Sequence, residues 1–457
     1  MKIVVLNGSP KGMNSVTMQY VLFLRKKLPQ HDFAILNVCQ EIKKLEDDKR
    51  AFREVLDAVS SSDGVIWAFP IYYMLVHANY KRFIELVLAG GSDAFHGKYA
   101  ATLSTSIHFF DHTGNDYVHG ICDDLDMKFV GSYPAEMNDL LDPRERERLL
   151  AFAGGFFHVI EKGFAIPRRF EPVVQNSLVY ADGLPPKDVD PEGKDIVILS
   201  DADGSGGNLA KMVDRVQKCF GGKATVINLR EIDIKSACSG CCQCGLDNVC
   251  VYRDADEVYD VYQKLIAADV VVIAGSVCDR YLSARWKRFI DRGFFMNHVP
   301  IFSGKQMGYL VAGPLGQLAT LRQVLEVYAG SHGANLVGIV TDECADSQEL
   351  DRLLDDFAVR LLDGARTGYL PPPNFLNVAG KKLFRDAIWS ELRLAFRQDH
   401  RYYKTHGLYD FPKRSFKTRL FDMYIALLLL IPGFRREFRK RLREEMVKPL
   451  QKVVEES

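Results

Sequence analysis

Two consecutive α/β domains, each a doubly wound parallel five-stranded sheet, followed by a helical extension, form the fold class that the sequence predicts. Three observations predict it. Short apolar runs alternate with amphipathic stretches through about the first 365 residues. The tetrapeptide "KRFI" occurs at 81–84 and again at 287–290, each time on the helix that follows a third strand. A Pro- and Gly-bearing stretch, "YADGLPPKDVDPEGK" (180–194), separates the two series. The domains span 1–180 and 195–366, and residues 367–457 form the extension.

In the first copy the strands are "KIVVLN", "FAILNV", "GVIWAF", "YAATLS" and "KFVGSY". Helices are expected from about Asn14, through the charged stretch that ends at Val59, and from His77. The second copy repeats the plan with "DIVILS" (195–200), a helix over 208–220, "ATVINL" (224–229), a helix over 255–267 and "VVVIAG" (270–275). A helix over 283–292 and the strands "MGYLVAG" and "NLVGIV" (335–340) complete it. Strands this apolar, with helices between them, belong to a parallel sheet covered on both faces.

The chain carries 59 basic and 59 acidic side chains among 457 residues. That balance gives no reason to expect a nucleic-acid partner. The start, "MKIVVLNGSP", has one strand's length of apolar residues before Asn7-Gly8-Ser9-Pro10 interrupts it, unlike a secretory leader, and a cytoplasmic location is expected.

Five of the ten cysteines fall in "ACSGCCQCGLDNVC" (237–250), and the other five are scattered singly. Disulfides are rare in the cytoplasm, which leaves zinc or an iron–sulfur cluster. Cys238, Cys241, Cys244 and Cys250 read C-x2-C-x2-C-x5-C. Structural zinc usually takes two separated C-x2-C knuckles, whereas three cysteines at successive spacings of three followed by a fourth is the bacterial ferredoxin style. The spacing therefore favours a [4Fe–4S] cluster, with zinc as the alternative. Cys242 is a fifth thiol, read as a bystander before a substitute ligand. The loop follows the second strand of its copy, at the carboxyl edge where open parallel sheets bind ligands.

The corresponding edge of the first copy carries "NGSPKGMNSVT" (7–17) between strand and helix. Small residues and hydroxyls at a helix start suit a phosphate, although such a turn is often only a cap. After the third strand, "FPIYYMLVHANYKRFI" (69–84) puts paired tyrosines on the same edge, suited to cover a planar ring or simply to pack over the sheet. His108 and His112, in the loop after the fourth strand, are candidate proton donors.

Together "GSPKGMNS", "PIYY…KRFI" and the C-x2-C-x2-C-x5-C loop resemble the NADPH-dependent FMN reductase and iron–sulfur flavoprotein group of the flavodoxin-like superfamily, across both copies. The resemblance implies that Ser9, Lys11, Asn14, Ser15 and Val16 meet the FMN phosphate. It implies that Pro70, Ile71, Tyr72, Tyr73 and Met74 meet the isoalloxazine, and that Thr105 and Ser106 make a third contact, although "STSIHFFDH" lacks the glycines expected there. It places a [4Fe–4S] cluster on Cys238, Cys241, Cys244 and Cys250, with NAD(P)H or a low-potential carrier as donor. In the second copy Ser276, Cys278 and Asp279 replace Pro70, Tyr72 and Tyr73, and Asp201 and Asp203 stand where a phosphate would sit. The first copy has only Cys39 after its second strand. FMN is therefore expected in the first copy and the cluster in the second, a fused pseudo-dimer serving a small acceptor or a partner enzyme. Two other roles are open: a dedicated electron-transfer module, or a zinc-stabilised interaction protein on a degenerate flavodoxin scaffold. A homo-oligomer is compatible with either.

In the extension, residues 371–412 mix aromatics with charge and are expected to pack over the domains, with closure of a substrate or partner site as the sharper role. Residues 423–431 are nine unbroken apolar residues, too few to cross a bilayer. Phe434, Phe438, Leu442 and Met446 form one stripe on a basic helix, and residues 413–452 hold twelve basic against four acidic side chains. Packing within the protein is favoured, and peripheral contact with an anionic membrane is the alternative.

Overall fold

The structure is a computed structural model that describes residues 1–296, 298–412 and 416–456, without the side chains of residues 418, 443, 445 and 449. Four of the charged residues counted in the 413–452 stretch, three basic and one acidic at positions 413, 414, 443 and 445, thus lie partly or wholly outside the described residues.

The first copy runs β1 (Lys2–Asn7), α1 (Val16–Lys27), β2 (Asp32–Leu36), α2 (Ile42–Asp47), α3 (Lys49–Ser60), β3 (Gly64–Pro70), α4 (Ala78–Gly90), β4 (Tyr99–Ser106), α5 (Asp111–Asp124), β5 (Lys128–Glu136) and α6 (Pro143–Lys162). The second runs β6 (Ile196–Ser200), α7 (Asn208–Cys219), β7 (Thr225–Asn228), α8 (Val258–Ala267), β8 (Val270–Ser276), α9 (Ala284–Arg292), β9 (Gln306–Ala312), α10 (Ala319–Ser331), β10 (Asn335–Thr341) and α11 (Ser347–Thr367). Their sheets have the strand orders β2-β1-β3-β4-β5 and β7-β6-β8-β9-β10, parallel throughout. Each is the 2-1-3-4-5 order of the flavodoxin-like fold.

The duplication reaches into the register. The β4–β5 pairing shifts at Ala100/Ala101 and the β9–β10 pairing shifts at Leu336/Gly338, so each copy carries an irregularity against its last strand. Bulges re-aim an edge strand, and a shared one is a structural trait that both copies keep.

Three helix starts differ from the expectation. Residues 12–14 form a short 3-10 turn, and α1 begins at Val16 because the Ser15 hydroxyl caps it, accepting from Met18 N at 3.2 Å. The charged stretch splits into α2 and α3 at Asp48, whose carboxylate caps α3 by accepting from Arg50 N. Helix α8 starts at Val258, three residues late, because residues 251–257 form successive turns after the cysteine loop.

The two copies meet through α4 and α9, and one apolar core runs through both, from Trp67 and Phe83 to Trp286 and Phe289. Two further cores fill the outer faces of the sheets, under α1 and α6 and under α7 and α11. Helices α12 (Phe375–Trp389) and α13 (Arg397–Thr405) belong to the compact unit Met1–Thr405, while His406–Ser457 form a second unit. The 367–457 extension therefore divides near residue 405. The second unit contains α14 (Phe416–Leu428) and α15 (Pro432–Glu455), with Phe434 and Phe438 stacked on α15. Among the described residues no helix is long and apolar enough to cross a membrane.

Candidate functional site

A cavity of about 340 Å³ opens at the carboxyl edge of the first sheet. Of the residues expected there, Ser9, Lys11, Ser15, Val16, Pro70, Ile71, Tyr72, Tyr73, Met74, Thr105 and Ser106 line it. Asn14 does not, because the 3-10 turn over residues 12–14 holds it outside while Ser15 caps the helix.

The turn after β1 is built from its own side chains. Ser9 N donates to Asn7 Oδ1 at 3.0 Å, Lys11 N donates to Ser9 Oγ at 3.2 Å, and Asn7 Nδ2 donates to Asn37 Oδ1 at 2.8 Å. Gly12 has φ +56°, and a Cβ there would lie 2.4 Å from Gln40 Oε1, so the sharp bend before α1 needs glycine. The amide end of α1 thus faces the cavity beside Lys11, a setting that favours an anion. Below it Thr17 and Thr105 share a hydrogen bond of 2.6 Å.

After β3, Tyr72 and Leu75 exchange backbone hydrogen bonds at 2.8 and 3.0 Å, and the two residues between them have positive φ, 42° at Tyr73 and 63° at Met74. Two left-handed non-glycine residues in one tight turn store backbone strain of about 1–3 kcal/mol each. Ile71 N, bonded to Thr105 O at 3.0 Å, pins the loop to the end of β4. Burial pushes the Tyr72 and Tyr73 hydroxyls well above their ordinary range, so both remain protonated donors.

His108 and His112 do not line the cavity. His108 pairs with Asp111 at 2.7 Å and His112 with Gln323 at 2.9 Å, both at the surface, because the left-handed residues His108 and Phe110 turn the loop outward before α5.

The far wall comes from elsewhere in the chain. Gly240, Cys242, Phe294 and His298 are from the second copy, and Phe384, Leu392, Ala395 and Phe396 are from α12 and the turn after it. Gly240 and Cys242 belong to the cysteine loop, whereas Phe294, His298 and the residues of the extension carry no local motif, and only the fold brings them together. Phe384 stacks on Phe109 with ring centroids 4.0 Å apart, anchoring the extension to the first copy.

Cys238, Cys241, Cys242, Cys244 and Cys250 line a smaller second cavity with Tyr252, Arg292, Phe294 and Phe295. Cys242 and Phe294 line both cavities and so form their common wall. The loop is folded by left-handed Gly240 and Cys242, and it is held by His77 Nε2, which donates to Cys238 O at 2.8 Å. The donor role follows because His77 Nδ1 accepts from Asn79 N at 3.2 Å. Arg292 bonds Asp256 at 2.6 and 3.0 Å and Ser236 O at 3.1 Å, fixing the loop's entry. Burial, with the Asp291 carboxylate and then the neighbouring thiols, pushes Cys238 up to about 12, and burial with the neighbouring thiols pushes Cys244 higher. Among the described residues no three His, Cys, Asp or Glu side chains meet as ligands of a metal ion. The donor set is of the kind that holds an iron–sulfur cluster, thiols of one loop bordering one small space of about 20 Å³ that a cluster would have to widen.

In the second copy a buried carboxylate follows β6 instead. Asp201 is buried and raised by that burial, and it accepts from Ser283 Oγ at 2.5 Å. Asp279 accepts from Lys81 Nζ at 2.8 Å and Tyr117 OH at 3.0 Å, so this position serves the joint between copies.

Two parallel sheets of flavodoxin-like order, one with a Ser- and Gly-bearing turn at a helix start over a cavity, define a tandem flavodoxin-like protein. A family model for NADPH-dependent FMN reductases matches residues 1–116 and again 195–342. The chain belongs to that family as a tandem duplication, and membership makes it an FMN-dependent oxidoreductase that uses NAD(P)H. Similar solved structures include FerB, a flavoenzyme NAD(P)H:(acceptor) oxidoreductase from Paracoccus denitrificans, at 19% identity and TM-score 0.30, covering 35% of this chain and 97% of that one. Another is an apo NADH:FMN oxidoreductase, EMOB, at 19% identity and TM-score 0.30, covering 35% of this chain and 89% of that one. No curated protein matches the chain.

Proposed function

We propose that the first copy holds FMN in its cavity, that Cys238, Cys241, Cys244 and Cys250 hold a [4Fe–4S] cluster, and that electrons pass between them across the wall of Cys242 and Phe294. The observation that carries this is the shared wall itself. FMN exchanges electrons in pairs or singly and a cluster exchanges them singly, so the pair links NAD(P)H or a low-potential carrier to a small acceptor or a partner enzyme.

The chain's own residues bind and orient. Ser9, Ser15, Lys11 and the amides at the start of α1 receive the phosphate. The strained turn at Tyr73 and Met74 would present a fixed backbone edge to the ring, and Tyr72, whose hydroxyl abuts Gly240, would help to hold it. The buried carboxylate of Asp201 at the start of the second copy's turn disfavours a phosphate there and supports one flavin per chain.

The test is an ultraviolet–visible spectrum of anaerobically purified protein with iron, sulfide and released flavin measured per chain. About four iron and one FMN support the proposal. Zinc without iron, or two FMN, overturns the division between copies.

A further inference from the structure

We propose that His298, oriented by Asp399, is the proton donor to a planar aromatic acceptor bound against the far wall of the flavin cavity. This rests on FMN occupying the side of the cavity formed by Ser9 to Met74.

His298 lies just beyond α9 in the second copy, and Asp399 is in the first turn of α13, 101 positions away. Its Nδ1–H donates to Asp399 Oδ2 at 2.7 Å, and both side chains are buried. Asp399 Oδ1 has no hydrogen-bond partner, so among the described residues the imidazole is the donor that meets this carboxylate. A buried carboxylate serving one imidazole fixes that ring's tautomer and balances its charge when the outer nitrogen carries a proton.

The ring is set at the cavity wall by aromatic edges. Phe294, Phe384 and Phe396 stand roughly perpendicular to it, with centroids 6.0, 5.0 and 4.6 Å away. Tyr403 OH donates to His298 O at 2.8 Å and fixes the backbone. Nε2 is left without a partner among the described residues, and His298 lines the cavity. A wall of Phe294, Phe384, Phe396 and Leu392 around His298 recognises a planar aromatic molecule that offers a hydrogen-bonding oxygen.

Reduction of such an acceptor takes two electrons and two protons. A hydride equivalent comes from reduced FMN, which is thereby oxidised. The second proton leaves Nε2 for the acceptor oxygen, an N–H bond breaking as an O–H bond forms. The imidazole regains its proton from water when product leaves. The second copy and the extension thus supply an acid that a lone first copy would lack.

The test uses the full chain with His298→Phe, His298→Gln and Asp399→Asn. Three readouts are taken: FMN content, the dissociation constant of 1-naphthol (an aromatic alcohol that cannot be reduced further) by its own fluorescence, and the pH profile of kcat with 1,4-naphthoquinone. All variants are expected to keep FMN. His298→Phe is expected to bind 1-naphthol about 10-fold more weakly and to lose about 100-fold in kcat with a smaller change in KM. His298→Gln restores naphthol binding but not kcat, a split that packing alone would not produce. Asp399→Asn moves the alkaline limb of the kcat profile to lower pH. Unchanged naphthol affinity and kcat in His298→Phe overturn the proposal, and so does loss of FMN from that variant, which would make His298 a cofactor contact. A wild-type chain without FMN would sink the cofactor assignment instead, and the naphthol measurement would still decide whether His298 faces an aromatic ligand.

Discussion

The amide of Ala78 donates to the Asp291 carboxylate at 2.7 Å, and the amide of Ala284 donates to Glu85 at the same distance. Counted from the two "KRFI" segments, Ala78 corresponds to Ala284 and Glu85 to Asp291. Each helix therefore receives at its start a carboxylate from the other, the reciprocal pattern of a two-fold interface, here within one chain. The lysines continue it: Lys81 reaches Asp279 at 2.8 Å, and Lys287 reaches Tyr72 O at 2.9 Å. This joint aligns the two carboxyl edges so that the cysteine loop lies beside the flavin cavity.

Asp291 and Lys287 are bonded to each other in full burial, which pushes the carboxyl up to about 6 and pulls the ammonium down. Each opposes what burial does to the other. Asp291→Ala leaves Lys287 buried and unpaired and also uncaps Ala78, at a cost of about 3–5 kcal/mol. The double variant Lys287→Met, Asp291→Leu is expected to cost less, because no lone charge remains. Urea unfolding of both checks this, and a single variant no worse than the double would show that the pair is solvated.

Acid lability follows from His332. It is buried between Tyr328 and Phe302, and burial lowers it to about 4. The unfolded chain takes up this proton below about pH 6.5, whereas the folded chain does not until about pH 4. The stabilising term is therefore complete above pH 6.5 and is lost as pH falls toward 4, by about 3 kcal/mol in total. His332→Asn is expected to flatten the stability profile over that window by roughly one proton's slope. An identical slope in the variant would mean that the ring is hydrated.

Gly240 has φ +66°, and a Cβ there would lie 2.4 Å from the Tyr72 hydroxyl and 2.8 Å from Lys11 Cε. One methyl group thus presses on the cysteine loop, the ring loop and the phosphate turn together. Gly240→Ala is expected to weaken FMN retention about 10-fold and to lower iron content, read by released flavin and iron assay on the same preparation. Full loading of both would show that the two sites do not share this contact.

Much of this fold is legible from local chemistry. Parallel strands buried on both faces read as apolar runs, and the repeated "KRFI" marks the same helix twice because Lys81 and Lys287 do the same work at the joint. The phosphate turn and the Pro70–Met74 loop are contiguous, so eleven of twelve expected contacts fall on one cavity, and Asn14 fails only because Ser15 takes the cap. The far wall is not legible, since His298 and Asp399 lie 101 positions apart and meet through packing. Cys242 reads as a spare thiol beside four patterned cysteines, and only its left-handed backbone turns it toward both cavities.

Gly245, in the same cysteine loop, separates the contribution of the extension from that of the cluster site. A Cβ on Gly245 would lie 1.9 Å from Ala395 O and 2.9 Å from Ala395 C, and neither backbone atom can swing aside as a side-chain tip could. Ala395 lines the flavin cavity, so Gly245→Ala must push the 390–396 turn off the cysteine loop and open the far wall. Leu394 is already 86% exposed at the tip of that turn, which makes it the natural point for chymotrypsin once the turn loosens. We expect cleavage near Leu394 to rise about 10-fold, tracking the greater population of open turn. Iron content should stay at its wild-type value, because the cysteines keep their own backbone turns. Loss of iron together with faster cleavage would mean that the extension holds the cysteine loop in shape, and no change in cleavage would mean that the turn is anchored by Phe384 and Asp399 alone.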